Sequence, residues 1–528
     1  MQRSTLNTQI NSQDEKNLAH INTQLNEKIQ SLEQQLDWFK RQIFGEKSEK
    51  FDMTDNPYQQ TIADVLNQLP ALPASPLDEK ETISYQRGKA KKNSLEGSPD
   101  DSGLRFDECV PVEEIILPST ELEGANANDY EIIGTKHTYR LAERPGSQVV
   151  LKYIRQVLKK KSTQTIITPV APANVLDKSF ADVSFLAGLL INKFCYHLPL
   201  YRQHQRLEQN GFKIARSTLT NLGKRSIELL KPLYESQLKH ILLSKTLAMD
   251  ETPIKAGRKQ KGKMKQAYFW PIYGEQDEVC FTFSPSRKMQ HIEEQLGDFK
   301  GTLLTDGYKA YEQFKKKQPS LTHAQCWAHA RRYFEKAKDM EPEMVAIALA
   351  YIARLYAIEK QIRDKNLAGE AKLNYRITHS KPTVDAFFNW CHEQRQRIDL
   401  VKSNPLSKAL VYSMNRTHEL MVFLGDPEVP LDTNHLERAL RVIPMGRKSW
   451  LFCWTEFGAE QVGIIQSLLV TCKLHGVNFY DYLVDVLQRV SEHPASKVEE
   501  LTPRIWKEKF ANTPMRSDLA TLVKNGLE

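Results

Sequence analysis

The stretch Thr246–Lys255, TLAMDETPIK, contains a short apolar run that ends in two adjacent carboxylates, Asp250 and Glu251. An apolar run of this length, followed closely by Pro253, is typical of a buried β-strand. Burying a lone carboxylate is unfavourable unless the group is paired or binds a metal ion. The strand end is therefore a candidate functional site, although an acidic turn after an ordinary strand explains the same residues equally well.

Further runs of strand length follow this stretch. KQAYFWPIYG and EVCFTFSPS are apolar or aromatic, and GTLLTDGYKAY again reaches an acid, Asp306. Residues 321–338, LTHAQCWAHARRYFEKAK, then run from a strand into a helix. If the strands that end at Asp250 and Asp306 are neighbours in one sheet, their carboxylates lie at the same edge.

A third acid, Glu437, lies on a predicted helix and shares one face with Asn434, Arg438 and Arg441. An i,i+4 ion pair with Arg441 explains this glutamate without any catalytic role. Phosphodiester cleavage, in contrast, requires an activated nucleophilic oxygen and a stabilised leaving oxygen, and two divalent ions about 3.5–4 Å apart do both. Such a site needs only carboxylate oxygens, which favours Mg²⁺ or Mn²⁺ over Zn²⁺. Spacing alone does not select this triple, because a chain with 65 Asp and Glu residues offers many others.

The N-terminal residues show a heptad pattern. Leu18, Leu25, Leu32 and Phe39 recur every seven residues. This spacing predicts a coiled-coil helix within residues 1–50. The helix either associates protomers or packs within its own chain.

A helical segment is predicted over residues 171–243. A helix over Leu200–Gln209, a turn at Asn210-Gly211 and a second helix capped by Ser217 or Thr218 suggest a helix-turn-helix. A plain helical hairpin explains the same pattern about equally well. The polar side chains expected to meet phosphates or base edges are Arg216, Asn221, Lys224 and Arg225.

Length and composition set wider bounds. A chain of 528 residues is too long for one core, and two to four domains are expected. The net charge of +8 and the acid-free connector GRKQKGKMK slightly favour a polyanionic partner. No apolar run reaches the ~20 residues of a membrane span, and the N-terminus lacks the apolar core of a secretory signal. The seven scattered cysteines form no CxxC pair, which favours a reducing cytoplasm and indicates no disulfide framework.

Eight motifs follow one another along the chain: LDWFKRQIFGEKSEKF, HLPLYRQHQRLEQNGFKIARSTL, AMDETPIK, LLTDGYKAY, CWAHARRYFEKA, NHLERALRVIPMGRKSWLF, SLLVTCKLHGV and YLVDVLQRV. In this order they resemble the DDE transposases of the insertion sequence 66 family, and the likeness covers nearly the whole chain. The resemblance implies an α/β catalytic core, an RNase H-like mixed sheet with a helical insertion. This core is expected within a multidomain, helix-rich chain with an N-terminal coiled coil.

The resemblance also assigns residues to roles. It places the catalytic and metal-binding triad at Asp250, Asp306 and Glu437, with two Mg²⁺ or Mn²⁺ ions. It prefers Asp250 over Glu251, which strand alternation would point to the other face of the sheet. The residues expected to support the site are Cys326, His329 and Asn434. The expected phosphate contacts are Arg331, Arg332, Arg438, Arg441, Arg447 and Lys448.

Two features depart from the family pattern. Family members commonly carry a cysteine-rich zinc module, whereas residues 106–170 keep only Cys109, so no zinc is expected. Asp432-Thr433-Asn434 stands where the family more often has Asp-Asn-Asn. Because Asn434 is kept, little harm to the metal site is expected.

The predicted organisation places each activity in its own segment. The segments are an association helix at 1–50, a polar linker at 51–105, a small β-rich domain at 106–170, a helix-turn-helix-like domain at 171–243, a first catalytic part at 244–338, a helical insertion at 339–428, a second catalytic part at 429–495 and a tail at 496–528.

The predicted function is transposition of a bacterial insertion sequence by a cytoplasmic, nucleoid-associated enzyme. The resemblance implies binding of terminal inverted repeats, hydrolysis at the element ends and joining of the freed 3′ hydroxyl to target DNA. It also implies self-association to a dimer or higher and the use of small accessory proteins from the same element. Two alternatives remain open: a catalytically silent DNA-binding regulator, and a structure-specific nuclease on the same fold.

Overall fold

The computed structural model describes residues 104–106, 110–118, 130–144, 147–260, 262–398 and 400–525, all within one compact unit, 93–528. The predicted coiled coil, and the predicted linker up to residue 103, lie outside the described residues. Among the helices that are described, none is both long and apolar enough to cross a membrane. The described part is a mixed α/β structure with two sheets.

The first sheet has four strands. They are β1 (Val112–Leu117), β2 (Tyr130–Arg144), β3 (Ser147–Lys160) and β4 (Ile166–Ile167). β3 runs parallel to β1 and antiparallel to β2 and β4. The strands predicted in this part of the sequence are therefore present, and the β2–β3 hairpin is the main element of the sheet.

Three helices follow the first sheet. They are α1 (Val183–Phe194), α2 (Leu200–Gln209) and α3 (Arg216–Ile241). The bounds predicted for α2 are confirmed, and Gly211 in the turn after it has a φ of 87°, which favours glycine. The predicted cap at Ser217 or Thr218 is wrong. The chain is extended at Ala215 and helical from the next residue, so both hydroxyl residues lie inside the first turn of α3.

The second sheet has six strands. They are β5 (Thr246–Met249), β6 (Thr252–Gln260), β7 (Lys263–Tyr273), β8 (Val279–Ser284), β9 (Thr302–Thr305) and β10 (Thr322–Gln325). β5 and β6 both pair antiparallel with β7 and are separated only by Asp250 and Glu251. β8 pairs with the other side of β7, while β9 lies parallel to both β5 and β10.

The two faces of this sheet pack against different helices. Leu247 and Leu303 belong to a core with α4 (Met289–Leu296) and α5 (Lys309–Lys317). The next residues, Ala248 and Leu304, belong to the larger core that includes α14 (Glu456–Leu474). Side chains alternate along a strand, and this two-sided burial explains why the consecutive central residues, Leu247-Ala248 and Leu303-Leu304, are all apolar.

The remaining helices lie between and after the strands. They are α6 (Trp327–Glu335), α7 (Pro342–Asp364), α8 (Gly369–Tyr375), the π-helical turn Arg376–Ser380, α9 (Lys381–Arg395), α10 (Pro405–Met414), α11 (Thr417–Met421), the 3₁₀ turn Val422–Leu424, α12 (Asn434–Leu440), α13 (Val442–Trp450), α14, α15 (Phe479–Arg489), the 3₁₀ segment Ala495–Leu501, α16 (Pro503–Lys509) and α17 (Asp518–Asn525). The helical character predicted for residues 339–428 is confirmed in the described part of that range.

Helix α14 covers the outer edge of β8. Ser467 Oγ accepts a hydrogen bond from Phe281 N at 2.8 Å, and Thr471 Oγ1 accepts one from Val279 N at 3.2 Å. A side chain at Gly463 would put Cβ 2.4 Å from the Phe281 carbonyl oxygen, so only glycine permits this approach. These contacts satisfy edge groups that would otherwise pair with another chain.

Candidate active site

The candidate site lies at one edge of the six-stranded sheet. β5 and β9 are parallel neighbours, with Ala248 opposite Leu304. Asp250 and Asp306 therefore follow the carboxyl ends of adjacent strands, as the sequence predicts. Both extend from the α14 face of the sheet, since each lies two residues beyond a residue on that face.

Three carboxylates converge at this edge. One oxygen each from Asp250, Glu251 and Asp306 lies within 4.8 Å of the others, and all three residues are partly buried. Glu251 also accepts a hydrogen bond from Tyr311, which belongs to the core with α4 and α5, so its side chain reaches the other face of the sheet, as alternation predicts. The short connection between β5 and β6 nevertheless brings one of its oxygens close to the two aspartates.

Hydrogen bonds fix the orientation of these acids. Glu251 N donates to Asp250 Oδ1 at 2.7 Å, and Tyr308 N donates to Asp306 Oδ1 at 2.9 Å. The side chain of Glu251 is only 2% exposed. It accepts from Arg287 Nε at 2.7 Å and from the hydroxyl of Tyr311 at 3.0 Å.

Arg287 is a site residue that the sequence analysis missed. Its guanidinium carbon lies 3.9 Å from the ring centre of Tyr308, whose hydroxyl donates to the Arg287 carbonyl oxygen at 2.6 Å. β8 and β5 are both antiparallel to β7, so their carboxyl ends lie at the same edge. Arg287 follows β8 by three residues, and strand direction was the signal that could have found it.

The site concentrates negative charge. Burial, followed by repulsion from Glu251 and Asp306, raises the pKa of Asp250 to about 8. Burial and the charge of Asp306 also raise the pKa of Glu251, which Arg287 partly opposes. A hard divalent cation suits this donor set, because its ligands are carboxylate oxygens and its charge would relieve the repulsion.

Metal binding is expected to strengthen as pH rises. A cation needs the ionised carboxylate, whereas Asp250 in the metal-free protein is mostly protonated below its pKa of about 8. For one displaced proton, the apparent Kd for Mg²⁺ should weaken by up to about tenfold per pH unit below 8. Calorimetric titrations at pH 8.5, 7.5 and 6.5 check this. An affinity that does not change over this range contradicts the assignment, and Asp250→Asn is the control that should lose the dependence.

Glu437 is held apart from the three clustered carboxylates. It lies on α12, and Arg332 of α6 donates through Nη2 to both of its carboxylate oxygens. His329 Nε2 lies 4.0 Å from Glu437 Oε1 and 3.1 Å from Arg332 Nη1. The ion pair is therefore with α6 rather than with Arg441, which lies beyond the last residue of α12. Glu437 still raises the pKa of Asp250 by repulsion, so it lies within electrostatic range of the cluster.

The three predicted supporting residues have structural contacts. Cys326 is buried, and its Sγ accepts from both the backbone N–H and the hydroxyl of Thr433 at 3.3 Å. This contact joins the start of α6 to the start of α12. Asn434 contacts the Asp432 carboxylate through its backbone N–H, at 3.0 Å, and through its side-chain amide. His329 lies beside Arg332, and burial lowers its pKa.

The predicted DNA contacts fall into two regions. Arg216, Asn221, Lys224 and Arg225 are exposed near the start of α3. The second set lies on α6, α12 and α13, with Arg441 between the last two helices, and comprises Arg331, Arg332, Arg438, Arg441, Arg447 and Lys448. Within it, Arg447 donates to the Pro253 carbonyl oxygen, three residues from Asp250.

Comparison with known proteins identifies a family that this chain matches. Residues 178–461 match the family described as Transposase IS66 family, and residues 467–504 match the IS66 C-terminal element. Two relatives from Sinorhizobium fredii are similar over almost their whole length. "Uncharacterized protein y4hP" is 26% identical over 92% of this chain and 90% of its own, and "uncharacterized protein y4jD" is 28% identical over 92% and 96%.

Proposed function

Because this chain belongs to the IS66 transposase family, we propose that it is a DDE-type DNA transposase of an insertion sequence. It binds the terminal inverted repeats, hydrolyses a phosphodiester bond at each element end and joins the 3′ hydroxyl to target DNA. The convergence of Asp250, Glu251 and Asp306 at the ends of two parallel neighbouring strands carries this proposal. An acidic turn after a single strand does not explain this cluster, because its acids come from the ends of two strands that are far apart in the sequence.

In this proposal, three acids bind the metal ions and a nearby arginine binds the substrate phosphate. Asp250 and Asp306 are the proposed central ligands, and Glu437 completes the site. Divalent ions, when bound, activate the attacking water or hydroxyl and stabilise the leaving oxygen. Glu437 joins the site by exchanging its ion pair with Arg332, which leaves that guanidinium to contact a phosphate.

Glu251 is proposed to act mainly through Arg287. Both of its oxygens already accept hydrogen bonds, from Arg287 and from Tyr311. The ion pair therefore places the guanidinium of Arg287 beside the carboxylate cluster, where it could contact a DNA phosphate. Catalysis in this account is positioning and charge stabilisation, without a covalent protein intermediate.

The finer fold and domain assignments belong to the same proposal. The mixed sheet supports an RNase H-like core, because three parallel strands, β10, β9 and β5, adjoin the antiparallel strands β6, β7 and β8, and the acids follow the carboxyl ends of β5 and β9. The helical segment between Asp306 and Glu437 is proposed to be the insertion at 339–428. The segment boundaries given from the sequence, including a DNA-binding domain at 171–243, are kept as proposals.

Partners are proposed from the family and the sequence. The two basic regions are proposed to bind the inverted repeats and the target, and residues 1–50 to associate protomers through a coiled coil. Small accessory proteins of the same element complete the proposed assembly. The proposed setting is the nucleoid of a bacterial cytoplasm.

A cleavage assay on the element's own ends tests the function. The purified chain, with Mg²⁺ and a labelled duplex carrying the inverted repeat, is expected to release a 3′ hydroxyl end and then join it to a second duplex. EDTA should stop both steps. Binding without cleavage would favour a silent regulator, and cleavage without joining would favour a nuclease.

A further inference from the structure

The hairpin formed by β6 and β7 carries a dense positive charge that the proposed catalytic site does not use. Between Thr252 and Lys265 the sequence contains no Asp or Glu. Its described basic side chains are all exposed: Lys255, Arg258, Lys259, Lys263 and Lys265. Among these, Lys265 is paired with Glu456 at 2.9 Å, and the other four leave a net positive surface.

Trp454 lies beside this hairpin and is unusually exposed. Its side chain is 65% accessible, whereas tryptophan is generally well buried. Phe452 packs at right angles to the indole, with ring centres 5.1 Å apart. The guanidinium carbon of Arg258 lies 5.8 Å from the indole centre, within cation–π range.

The backbone fixes Trp454 relative to the carboxylates. Cys453 N donates to the Lys255 carbonyl oxygen at 2.9 Å, and Gly257 N donates to the Cys453 carbonyl oxygen at 3.1 Å. Ala256, the bridge partner of Cys453, lies six residues after Asp250. At ~3.3 Å per strand residue, the bridge is at most about 20 Å from Asp250 along the chain.

We propose that this hairpin–Trp454 surface, formed by Lys255, Arg258, Lys259, Lys263 and Trp454, binds an unpaired DNA strand close to the cleavage site and stacks one base on the indole. The inference rests on the proposed function and adds a substrate feature to it. A run of lysines without acids complements the phosphate backbone. A planar exposed indole beside a guanidinium suits a base face, which a duplex does not offer because its bases are already stacked.

The distance along β6 sets a scale for this contact. A span of at most about 20 Å corresponds to no more than about six nucleotides at the duplex rise of ~3.4 Å, and to fewer in an extended single strand. The stacked base should therefore lie within about six nucleotides of the scissile phosphate. Unpairing of the element end at that position would follow from binding.

Two DNA probes and a pair of Trp454 variants test this surface. The probes are a labelled oligo-dT of about 20 nucleotides and a duplex of the same length. Trp454→Ala should weaken binding of the single strand roughly tenfold or more, with a much smaller change for the duplex. Trp454→Phe, which keeps an aromatic face, should retain most of the affinity.

Matched controls come from the opposite edge of the sheet. Leu243→Ala removes an apolar side chain that is even more exposed than Trp454, at 80% accessible, just before β5. Lys300→Gln removes an exposed lysine just before β9. Neither should change single-strand affinity, whereas Lys259→Gln should reduce the salt slope by about 0.7.

The outcomes separate this inference from the proposed function. If the wild type cleaves element ends but Trp454→Ala binds the single strand as tightly as the wild type does, the inference is wrong and the proposed function stands. A wild type that binds neither probe and cleaves nothing overturns both. If Trp454→Ala keeps its DNA affinity but loses self-association or an accessory protein, the surface serves a protein partner and the inference is wrong.

Discussion

Asp250→Asn is expected to reduce Mg²⁺-dependent strand cleavage by roughly a thousandfold or more. Asp250 is the acid that Glu251, Asp306 and Glu437 all repel, so it faces the centre of the negative cluster. An amide of the same shape removes one anionic ligand, and metal stabilisation of the transition state amounts to several kcal/mol. A thousandfold loss corresponds to about 4 kcal/mol. Single-turnover cleavage of an element-end duplex measures the effect.

Binding of the element end should survive this substitution. The folded-state pKa of Asp250, about 8, lies above its ordinary value of 3.8, so this group makes the metal-free fold progressively less stable as pH rises from about 4 to 8, with no further loss above 8. The variant should accordingly be at least as stable as the wild type at pH 8.5 without metal. Asp298→Asn, an exposed change before β9, is the control and should cleave normally. Loss of folding and DNA binding together in Asp250→Asn would refute a purely catalytic role.

Arg376→Met is expected to destabilise the chain by about 3–5 kcal/mol, the usual cost of breaking a buried ion pair. Arg376 is fully buried and contacts both carboxylate oxygens of Glu359, at 2.8 and 2.9 Å. Its Nη1 also donates to the carbonyl oxygens of Phe423, at 2.8 Å, and Val429, at 3.1 Å. Without Arg376, the buried Glu359 carboxylate and these two carbonyl oxygens lose their hydrogen-bond donor. Urea unfolding followed by circular dichroism measures the loss.

The same substitution should also lower cleavage. The turn that Arg376 holds leads to Leu431, whose carbonyl oxygen accepts from Trp327 N at 3.1 Å, and then to the helix of Glu437. Lys381→Met breaks an exposed i,i+4 pair with Asp385 and should cost no more than about 0.5 kcal/mol. Adding Glu359→Leu to Arg376→Met should recover part of the lost stability. A single variant as stable as the wild type would show that the buried pair contributes nothing.

Local sequence patterns predicted much of the catalytic sheet. The apolar runs before Asp250 and Asp306 are strands because both of their faces are buried, and the helix over Leu200–Gln209 has its predicted bounds. The adjacency of the two aspartate strands is confirmed by their register. The family resemblance is confirmed by the match over residues 178–461.

The sequence patterns are insufficient where contacts between residues far apart in the sequence determine the structure. Strand alternation predicted the face on which Glu251 meets Tyr311, but not that one of its oxygens lies within 4.8 Å of the two aspartates. Glu437 pairs with Arg332 of α6, 105 residues earlier, rather than with Arg441, the partner that would have explained it without a catalytic role. Arg287 carried no motif, and only the direction of β8 brings it to the site. The triad itself, with its metal ions, stays a prediction.

Anomalous diffraction from crystals of the chain with Mn²⁺ and an element-end duplex tests the central claim most directly. The account predicts two peaks about 3.5–4 Å apart at the carboxylates of Asp250 and Asp306. Glu437 should have left Arg332 and should coordinate one of them. The account would be contradicted if manganese were bound elsewhere and not at the two aspartates, with Glu437 still paired with Arg332.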